Sequence, residues 1–251
     1  MVSLRRWVVD VCPDALFPTL YNTRCALSGR DARINHRAGH GWYIQKDGLT
    51  LLSPTPKFIG FGLGVFERKF ERYFKIQRGD IVVDVGACIG DTTIPMFMKT
   101  GESGKVFAVE PHPLNAKYLR LNVSSFKNVT VIEKAVLDKK GEVVFYTHKA
   151  PTGHSLVSGY QRIGCMTVEA DTMDNLFRGV DVDFCKIDVQ GSEIELLKGS
   201  PMFLRRVKHL AVETHGTAWV KGVGEILEAY KNTHNIIFDA STRVYYMSRR
   251  S

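Results

Sequence analysis

The chain has 251 residues, of which 44% are hydrophobic and 24% are charged, and its formal net charge is +8. This length suits one α/β domain with an extension and is too short for two such domains. The composition excludes a disordered chain, and no apolar run approaches the roughly 20 residues that span a bilayer.

The basic excess lies in the N-terminal third. Residues 1–80 carry 13 Lys and Arg against 7 Asp and Glu, which leaves a net charge of +2 for residues 81–251. A basic surface attracts anionic sugars, lipids or nucleic acid, although a mildly basic solvated surface is the ordinary explanation. The five cysteines form no C-x-x-C pair, which favours reduced thiols in a cytoplasmic protein over a zinc site.

The first 75 residues differ in pattern from the rest. They are rich in Arg, Gly and aromatic residues, and they predict short strands followed by an amphipathic helix at residues 65–75, VFERKFERYFK. We expect residues 1–75 to form an N-terminal cap or substrate-binding extension that contributes to the acceptor pocket. Residues 76–251 then form the catalytic domain.

Strand and helix patterns alternate from about residue 80 onward, which is typical of a mostly parallel, doubly wound sheet. The predicted strands are DIVVDVG, KVFAVE, VDFCKIDV and VKHLAVET, and NVTVIEKAVL contains the third strand and its exit. The β-rich runs EVVFYT and CMTVEA surround a polar loop, in which His154 is a candidate substrate contact. Helices are predicted at residues 92–100, PLNAKYLRLNVSSF, SEIELLKGS and GEILEAYKNT, and NIIFDA with RVYYMS predicts an antiparallel hairpin that closes the sheet.

A Gly-rich turn follows the first of these strands, in the stretch IVVDVGACIGDTT at residues 81–93. It lacks the Lys of a P-loop, and Asp91 would repel a phosphate. It also lacks the third glycine of the dinucleotide fingerprint, because only Gly86 and Gly90 are present. A strand that ends in an acid, here Asp84, before G-x-x-x-G suits a ligand without phosphate, since the carboxylate can hold an ammonium group.

A second acid, Glu110, ends the next strand about 20 residues after the last glycine, where a ribose-binding carboxylate is expected. Two acids at neighbouring strand ends, with a turn of small residues between them, predict a site for S-adenosylmethionine.

Four further residues lie near the expected crevice and could supply a general base: Asp188, Glu193, Glu213 and His215. We expect His215 to be the base, oriented by Glu213 or Asp188, because a hydroxyl acceptor must lose its proton. The simpler alternative is that Glu193 caps its helix and that His215 is a turn residue. A divalent cation held by these groups is a less favoured alternative, because no spaced metal motif is present. Lys186 is interpreted as a structural residue that faces away from Asp188.

From these motifs, the chain resembles the FkbM family of S-adenosylmethionine-dependent methyltransferases. The resemblance rests on FERYFKIQRGDIVVDVGACIGDTT, GKVFAVEPHPLN, VIEKAVLDKKGEVVFY, TVEADTMDNL, KIDVQGSEIELLKG and AVETHG, which cover about residues 66–216 in the family's order. It implies a Rossmann-like class I methyltransferase fold with a seven-stranded, mostly parallel sheet. For characterised members it also implies methylation of a hydroxyl on a sugar or a secondary metabolite.

The resemblance assigns cofactor contacts by position. Asp84, Gly86 and Gly90 would line the methionine part, Glu110 would hold the ribose hydroxyls, and a side chain added at Gly86 would obstruct the ligand. The full predicted cofactor set is Asp84, Gly86, Ala87, Cys88, Gly90, Thr92, Glu110, Pro111, Lys134, Ala135 and Asp188. Two positions depart from the family pattern: Cys88 stands where Asn is common, and Gln190 where Glu is common.

Three functions remain open at this point. An O-methyltransferase that acts on a glycan or small-molecule hydroxyl is favoured. An RNA methyltransferase is the second, because of the basic N-terminal third and the aromatic residues Trp42, Tyr43 and Phe58. A non-catalytic adenosyl-binding domain is the third.

Overall fold

The computed structural model describes residues 15–37, 41–46, 48–56, 58, 63–148, 154–156 and 162–250. Its N-terminal elements are α1 (Phe17–Leu27), β1 (Ala32–Arg37), β2 (Gly41–Lys46), β3 (Leu49–Ser53) and α2 (Leu63–Lys69). The elements that follow are β4 (Ile81–Val85), α3 (Thr93–Thr100), β5 (Lys105–Val109), α4 (Pro113–Asn122), β6 (Val129–Ile132), β7 (Ala135–Val136), β8 (Gly141–His148), β9 (Arg162–Asp171), α5 (Met173–Leu176), β10 (Phe184–Ile187), α6 (Glu193–Lys198), α7 (Pro201–Arg206), β11 (His209–Glu213), α8 (Thr217–Glu228), β12 (His234–Asp239) and β13 (Val244–Arg249).

The central sheet has seven strands in the order β12-β13-β11-β10-β4-β5-β6. β13 is antiparallel to both of its neighbours, and all other neighbouring pairs are parallel. This confirms the predicted Rossmann-like sheet and its closing hairpin. Parallel strands place their carboxyl ends at one edge, and the strand order reverses between β4 and β10. Open α/β sheets bind ligands at such a reversal.

A side sheet with the order β7-β9-β8 follows the central one. Its strands β8 and β9 correspond to the two predicted β-rich runs, and they pair antiparallel. The predicted third strand of the central sheet is shorter than expected, because the chain leaves that sheet after Ile132. Lys134 turns toward β9 there, with its Nζ 3.4 Å from Glu169 Oε2 and 3.6 Å from Asp171 Oδ2.

Hydrophobic side chains cover both faces of the central sheet. On one face Val83 and Ile187 pack with residues of α6, α7 and α8. On the other face Val82 packs with Phe66 of α2 and with Phe70, which directly follows that helix. The strands of the central sheet are thus buried on both sides, as parallel strands in α/β folds are.

Several helices differ from the prediction. α1 was not predicted, and α4 ends at Asn122, before the end of the predicted segment. α2 ends at Lys69, because the buried carboxylate of Glu71 accepts a hydrogen bond from the backbone N–H of Ile76 and folds the chain back. α7 was not predicted as a separate helix. α8 begins at Thr217, before the predicted segment.

The N-terminal strands share a core with the turn after β4. Ile34, Ile44 and Leu51 cluster with Ile89 of that turn and with Leu119 of α4. Hydrogen bonds between the Asn122 side chain of α4 and the Leu52 backbone of β3 also link the two regions. The described part of residues 1–75 therefore shares a hydrophobic core with the turn after β4 and with α4.

Two of the aromatic residues considered for RNA stacking take part in this core. Phe58 is buried, and Trp42 packs against the same cluster. Tyr43 is partly exposed on β2.

No helix within the described ranges is long and apolar enough to cross a membrane. The four cysteines in those ranges form no disulfide, and Cys12 lies outside them.

Candidate active site

A cleft opens at the edge of the central sheet where β4 and β10 end, and its empty space is about 990 Å³ when the part open to solvent is included. The predicted site residues on its walls are Gly86, Cys88, Thr92, Glu110, Pro111, Lys134, Ala135 and Asp188. Those that do not line it are Asp84, Ala87, Gly90, Glu193, Glu213 and His215. One wall comes from α2 and the residue after it. Phe66 and Lys69 of the helix lie on the same side as Phe70, whose backbone N–H still bonds to the carbonyl oxygen of Phe66.

Asp84 lies beneath the cleft and its carboxylate is already occupied. The side chain is fully buried. Its Oδ2 accepts hydrogen bonds of 2.7 Å from the hydroxyls of Thr92 and Thr93, and its Oδ1 faces the ammonium of Lys186 at 2.9 Å. Asp84 thus fixes the start of α3 to the end of β4.

Lys186 lines the cleft, and the prediction that it faces away from Asp188 was wrong. Residues two apart on an extended strand point the same way. Lys186 also pairs in register with Asp84, and its Nζ donates to Asp84 Oδ1 and to the carbonyl oxygen of Gly86, each at 2.9 Å. Burial alone would lower the pKa of Lys186, but the nearby carboxylates of Asp84, Asp188 and Asp91 raise it.

Gly86 is required by a close approach of two chain segments. It has φ +76, and a Cβ there would collide with the backbone carbonyl of Asp188. The expectation that a side chain at this position would obstruct only the ligand was therefore incomplete. Gly90 serves packing, because a Cβ there would press on the side chain of Leu119 at 3.1 Å.

The two departures from the FkbM pattern both occur at left-handed backbone positions. Cys88 has φ 49 and Gln190 has φ 56. Asn adopts this conformation more readily than most residues, which agrees with the Asn that the family resemblance leads us to expect at the first position. Burial raises the pKa of the Cys88 thiol well above its usual value, so the thiol stays protonated.

Glu110 is a buried carboxylate on the wall opposite the end of β10. Its Oε1 accepts from the backbone N–H of His112 and its Oε2 from that of Cys88, both at 2.9 Å. The Asn115 side chain donates a third hydrogen bond to this carboxylate, which leaves it one lone pair for a ligand hydroxyl. Burial raises the pKa of Glu110 to about 7.

The four candidate base residues form one hydrogen-bonded cluster beside the cleft. Asp188 lines the cleft, and His215 lies behind it with Nδ1 2.7 Å from Glu193 Oε1. The Nε2 atom of His215 is 3.5 Å from Asp188 Oδ1 and 3.7 Å from Glu213 Oε1. The amide of Gln190 stands between them, with Nε2 2.7 Å from Asp188 Oδ1 and 2.8 Å from His215 Nε2.

Glu193 contacts both the turn before α6 and the imidazole of His215, and the backbone N–H that it accepts from lies outside the helix. It is fully buried at the first position of α6, and its Oε1 accepts from the backbone N–H of Gly191 as well as facing His215. It therefore stabilises the turn and orients the imidazole.

The cluster shifts the pKa values of its members. Burial alone would lower the pKa of His215, but Glu193, Asp188 and Glu213 raise it. Burial alone would raise the pKa of Asp188, but Lys186, His215 and Lys69 lower it. Burial and the charge of Asp188 raise the pKa of Glu213. Asp188 is consequently the ionised member that faces the cleft.

Asp188, Glu213 and His215 are also close enough to hold a metal ion, since their ligand atoms lie within 4.8 Å of one another. Two groups already compete for these atoms. The ammonium of Lys69 contacts Glu213 Oε2 at 2.5 Å, and the Gln190 amide occupies the space between the other two. A cation would have to displace both.

Comparison with known families identifies the domain. Residues 84–237 match the model of the methyltransferase FkbM domain, which is more than half of the chain. The chain belongs to the FkbM methyltransferase family. Its cofactor is S-adenosylmethionine.

One curated relative is the hexuronic acid methyltransferase AglP of Haloferax volcanii. It is 26% identical over 159 residues, which cover 62% of this chain and 64% of that protein. The match thus spans less than two thirds of the relative's length.

Solved structures with the same fold include a putative rRNA-methylase from Clostridium thermocellum, with a TM-score of 0.51 and 13% identity over 77% of this chain and 98% of that one. A weaker structural match is to an S-adenosylmethionine-dependent O-methyltransferase from Thermotoga maritima, with a TM-score of 0.43 and 13% identity over 88% of this chain and 86% of that one. At this identity the first likeness supports the fold alone.

The walls of the cleft fit S-adenosylmethionine chemically. Glu110 offers a carboxylate lone pair to a ribose hydroxyl, and Gly86 leaves the turn without a side chain where the backbone of β10 approaches. Asp91 adds a second carboxyl group to the wall, and the sequence predicted no cofactor contact for it.

Proposed function

We propose that this FkbM methyltransferase transfers a methyl group from S-adenosylmethionine to a hydroxyl of a sugar, a glycolipid or a small secondary metabolite. The observation that supports this is the base cluster at the cleft: His215 is held by Glu193 on one ring nitrogen, and its other nitrogen faces Asp188 and Gln190. An alcohol is a poor nucleophile, and a positioned base removes its proton as the new bond forms.

The base needs a particular tautomer, and the cluster favours it. An amide NH₂ between a carboxylate and an imidazole nitrogen can donate to both. With Gln190 in that orientation, His215 Nε2 accepts, and the ring proton lies on Nδ1, where it is donated to Glu193. The lone pair that would accept the hydroxyl proton is thus on the Nε2 side, toward the cleft.

The Gln190 amide must leave this position before His215 can act. We propose that the acceptor hydroxyl takes its place, donates to His215 Nε2 and is oriented by Asp188. When bound, S-adenosylmethionine supplies the methyl group on a sulfonium sulfur that departs as a neutral thioether, so the only proton to be moved is that of the hydroxyl. Asp188 and Glu193 then stabilise the imidazolium that forms.

A carboxylate acceptor is less favoured than a hydroxyl. A hexuronic acid, the substrate class in the name of AglP, carries hydroxyls as well as a carboxylate. A carboxylate needs no base, and the acidic side chains of Asp188, Glu193 and Glu213 would repel it.

Neither of the other two functions gains a specific observation. Of the aromatic residues considered for RNA stacking, Phe58 is buried and Trp42 packs on the core. A non-catalytic adenosyl-binding domain would not need a base cluster at the cleft. The cytoplasmic location expected from the sequence stays a prediction.

The extension would contribute to the acceptor site through α2, whose residues Val65, Phe66 and Lys69 lie on the cleft wall. Deletion of the first 60 residues would be a poor test, because it would expose the core that they share with the sheet. Val65→Trp would instead narrow the cleft at this wall. We expect it to lower methyl transfer while cofactor affinity stays unchanged.

The function is tested with methyl-labelled S-adenosylmethionine and three acceptors: methyl glycosides of neutral hexoses, methyl glycosides of hexuronic acids, and short RNA. Products are detected by mass spectrometry as one added CH₂ and then treated with mild alkali. We expect a glycoside product that survives alkali, as a methyl ether does. An alkali-labile product would indicate an ester on the carboxylate, and methylated RNA alone would overturn the proposal.

A further inference from the structure

Asp91 is a carboxyl group on the cleft wall, directly after Gly90 and before α3. Within the described ranges, the hydrogen bond that it receives comes from its own backbone N–H. We propose that Asp91, and not Asp84, binds the ammonium group on the methionine part of the cofactor. This inference rests on the cofactor and not on the acceptor, so its failure would leave the proposed hydroxyl transfer intact.

Asp84 cannot take this role without breaking existing contacts. Both of its oxygens are occupied, by Thr92 and Thr93 on one side and by Lys186 on the other. It is fully buried and lies outside the cleft wall. A ligand ammonium would have to displace the Lys186 ammonium from a buried ion pair, which is costly.

The charges around Asp91 leave room for one more cation. The groups that face it are Lys186 of β10, Asp84 of β4, Asp188 after β10 and the Cys88 thiol of the same turn. Three carboxyl groups thus share the Lys186 ammonium, and Asp188 also faces His215 and Lys69. A cofactor ammonium would balance this excess and form a charge-assisted hydrogen bond with Asp91.

The titration of Asp91 gives the proposal a pH dependence. Burial raises the pKa of Asp91 to about 7 in the free protein. A bound ammonium favours the ionised form and lowers this pKa, so binding below pH 7 releases a proton and weakens as the pH falls. Above a pH of roughly 7.7 to 8.0 the cofactor's own α-amino group loses its proton, and affinity falls again.

Glu110 titrates in the same range, because burial also raises its pKa to about 7. It is expected to face the ribose and not the amino acid part. Two ligands distinguish the contributions of Asp91 and Glu110 to binding. S-adenosylhomocysteine carries the ammonium group, and methylthioadenosine has the same nucleoside without it.

The test is calorimetry of both ligands on the full chain at about pH 6, in two buffers of different ionisation enthalpy. We expect Asp91→Asn to weaken S-adenosylhomocysteine roughly ten- to a hundredfold, to remove one released proton, and to leave methylthioadenosine binding unchanged. Retained methylthioadenosine binding also demonstrates that the variant is folded. Glu110→Gln is the matched control and should weaken both ligands. Equal weakening of both ligands by Asp91→Asn, or no weakening of either, would overturn the proposal.

Discussion

Two carboxylates face the same cleft from different walls, and their surroundings shift their pKa values in opposite directions. Burial raises the pKa of Asp91, in the turn after β4, to about 7. Burial alone would also raise the pKa of Asp188, at the end of β10, but Lys186, His215 and Lys69 hold that pKa below its usual value. Asp91 shares the Lys186 ammonium with other carboxyl groups, whereas Asp188 also has His215 and Lys69 as counter-charges.

This difference assigns separate tasks to the two walls. Groups whose environments push their pKa values apart usually serve different roles in a site. The turn wall is arranged to gain a cation, which the cofactor carries. The wall at the ends of β10 and β11 keeps an ionised acid and an oriented imidazole, which suits proton removal from an acceptor.

The largest expected effect comes from removing the proposed base groups at the ends of β10 and β11. His215→Ala or Asp188→Asn should lower methyl transfer by about a hundredfold to ten-thousandfold, because a general base typically contributes that factor. Cofactor affinity should change much less. The rate is measured in single turnovers with the glycoside found to be the acceptor. Near-normal rates in both variants would mean that alignment alone carries the reaction.

The next effect comes from Lys186, which connects the two walls. Lys186→Met would leave Asp84 buried without its counter-charge, and removal of one partner of a buried pair costs about 3–5 kcal/mol. Urea unfolding measures this loss. The surface pair of Lys208 with Asp183 provides the control, since Lys208→Met should cost at most about 1 kcal/mol. Equal losses in the two variants would contradict a structural role for Lys186.

The smallest expected effect, the pH dependence of kcat, sharpens the assignment of the base. In the plot of kcat against pH, the raised pKa of His215 places the acidic limb above roughly pH 6.5. The rate should rise along this limb as the imidazole loses its proton. If Asp188 were the base, its lowered pKa would place the limb below roughly 3.9. Saturating cofactor keeps the titrations of Asp91 and Glu110 out of this profile.

Much of the fold was predictable because hydrophobic period and turn residues determine it locally. The alternation of strands and helices gave the parallel sheet, and the acids that end β4, β5 and β10 were correctly placed at one edge. The division of the third predicted strand between two sheets was not predictable, because it depends on the contact of Lys134 with β9.

The site was harder to predict where neighbours from distant segments decide a role. The pattern gave Asp84 the ammonium, but Thr92, Thr93 and Lys186 occupy its oxygens. Strand alternation, correctly applied, would have placed Lys186 on the same side as Asp188. No sequence signal placed the Gln190 amide on His215, because that contact depends on the left-handed backbone at Gln190.

The most direct test of the division between the two walls is the affinity for S-adenosylhomocysteine in two isosteric variants, Asp91→Asn and Asp188→Asn, measured side by side by calorimetry at about pH 7. The two-wall account predicts that Asp91→Asn weakens binding roughly tenfold or more, and that Asp188→Asn changes it less than about threefold. Weak binding in the Asp188 variant with normal binding in the Asp91 variant would contradict it.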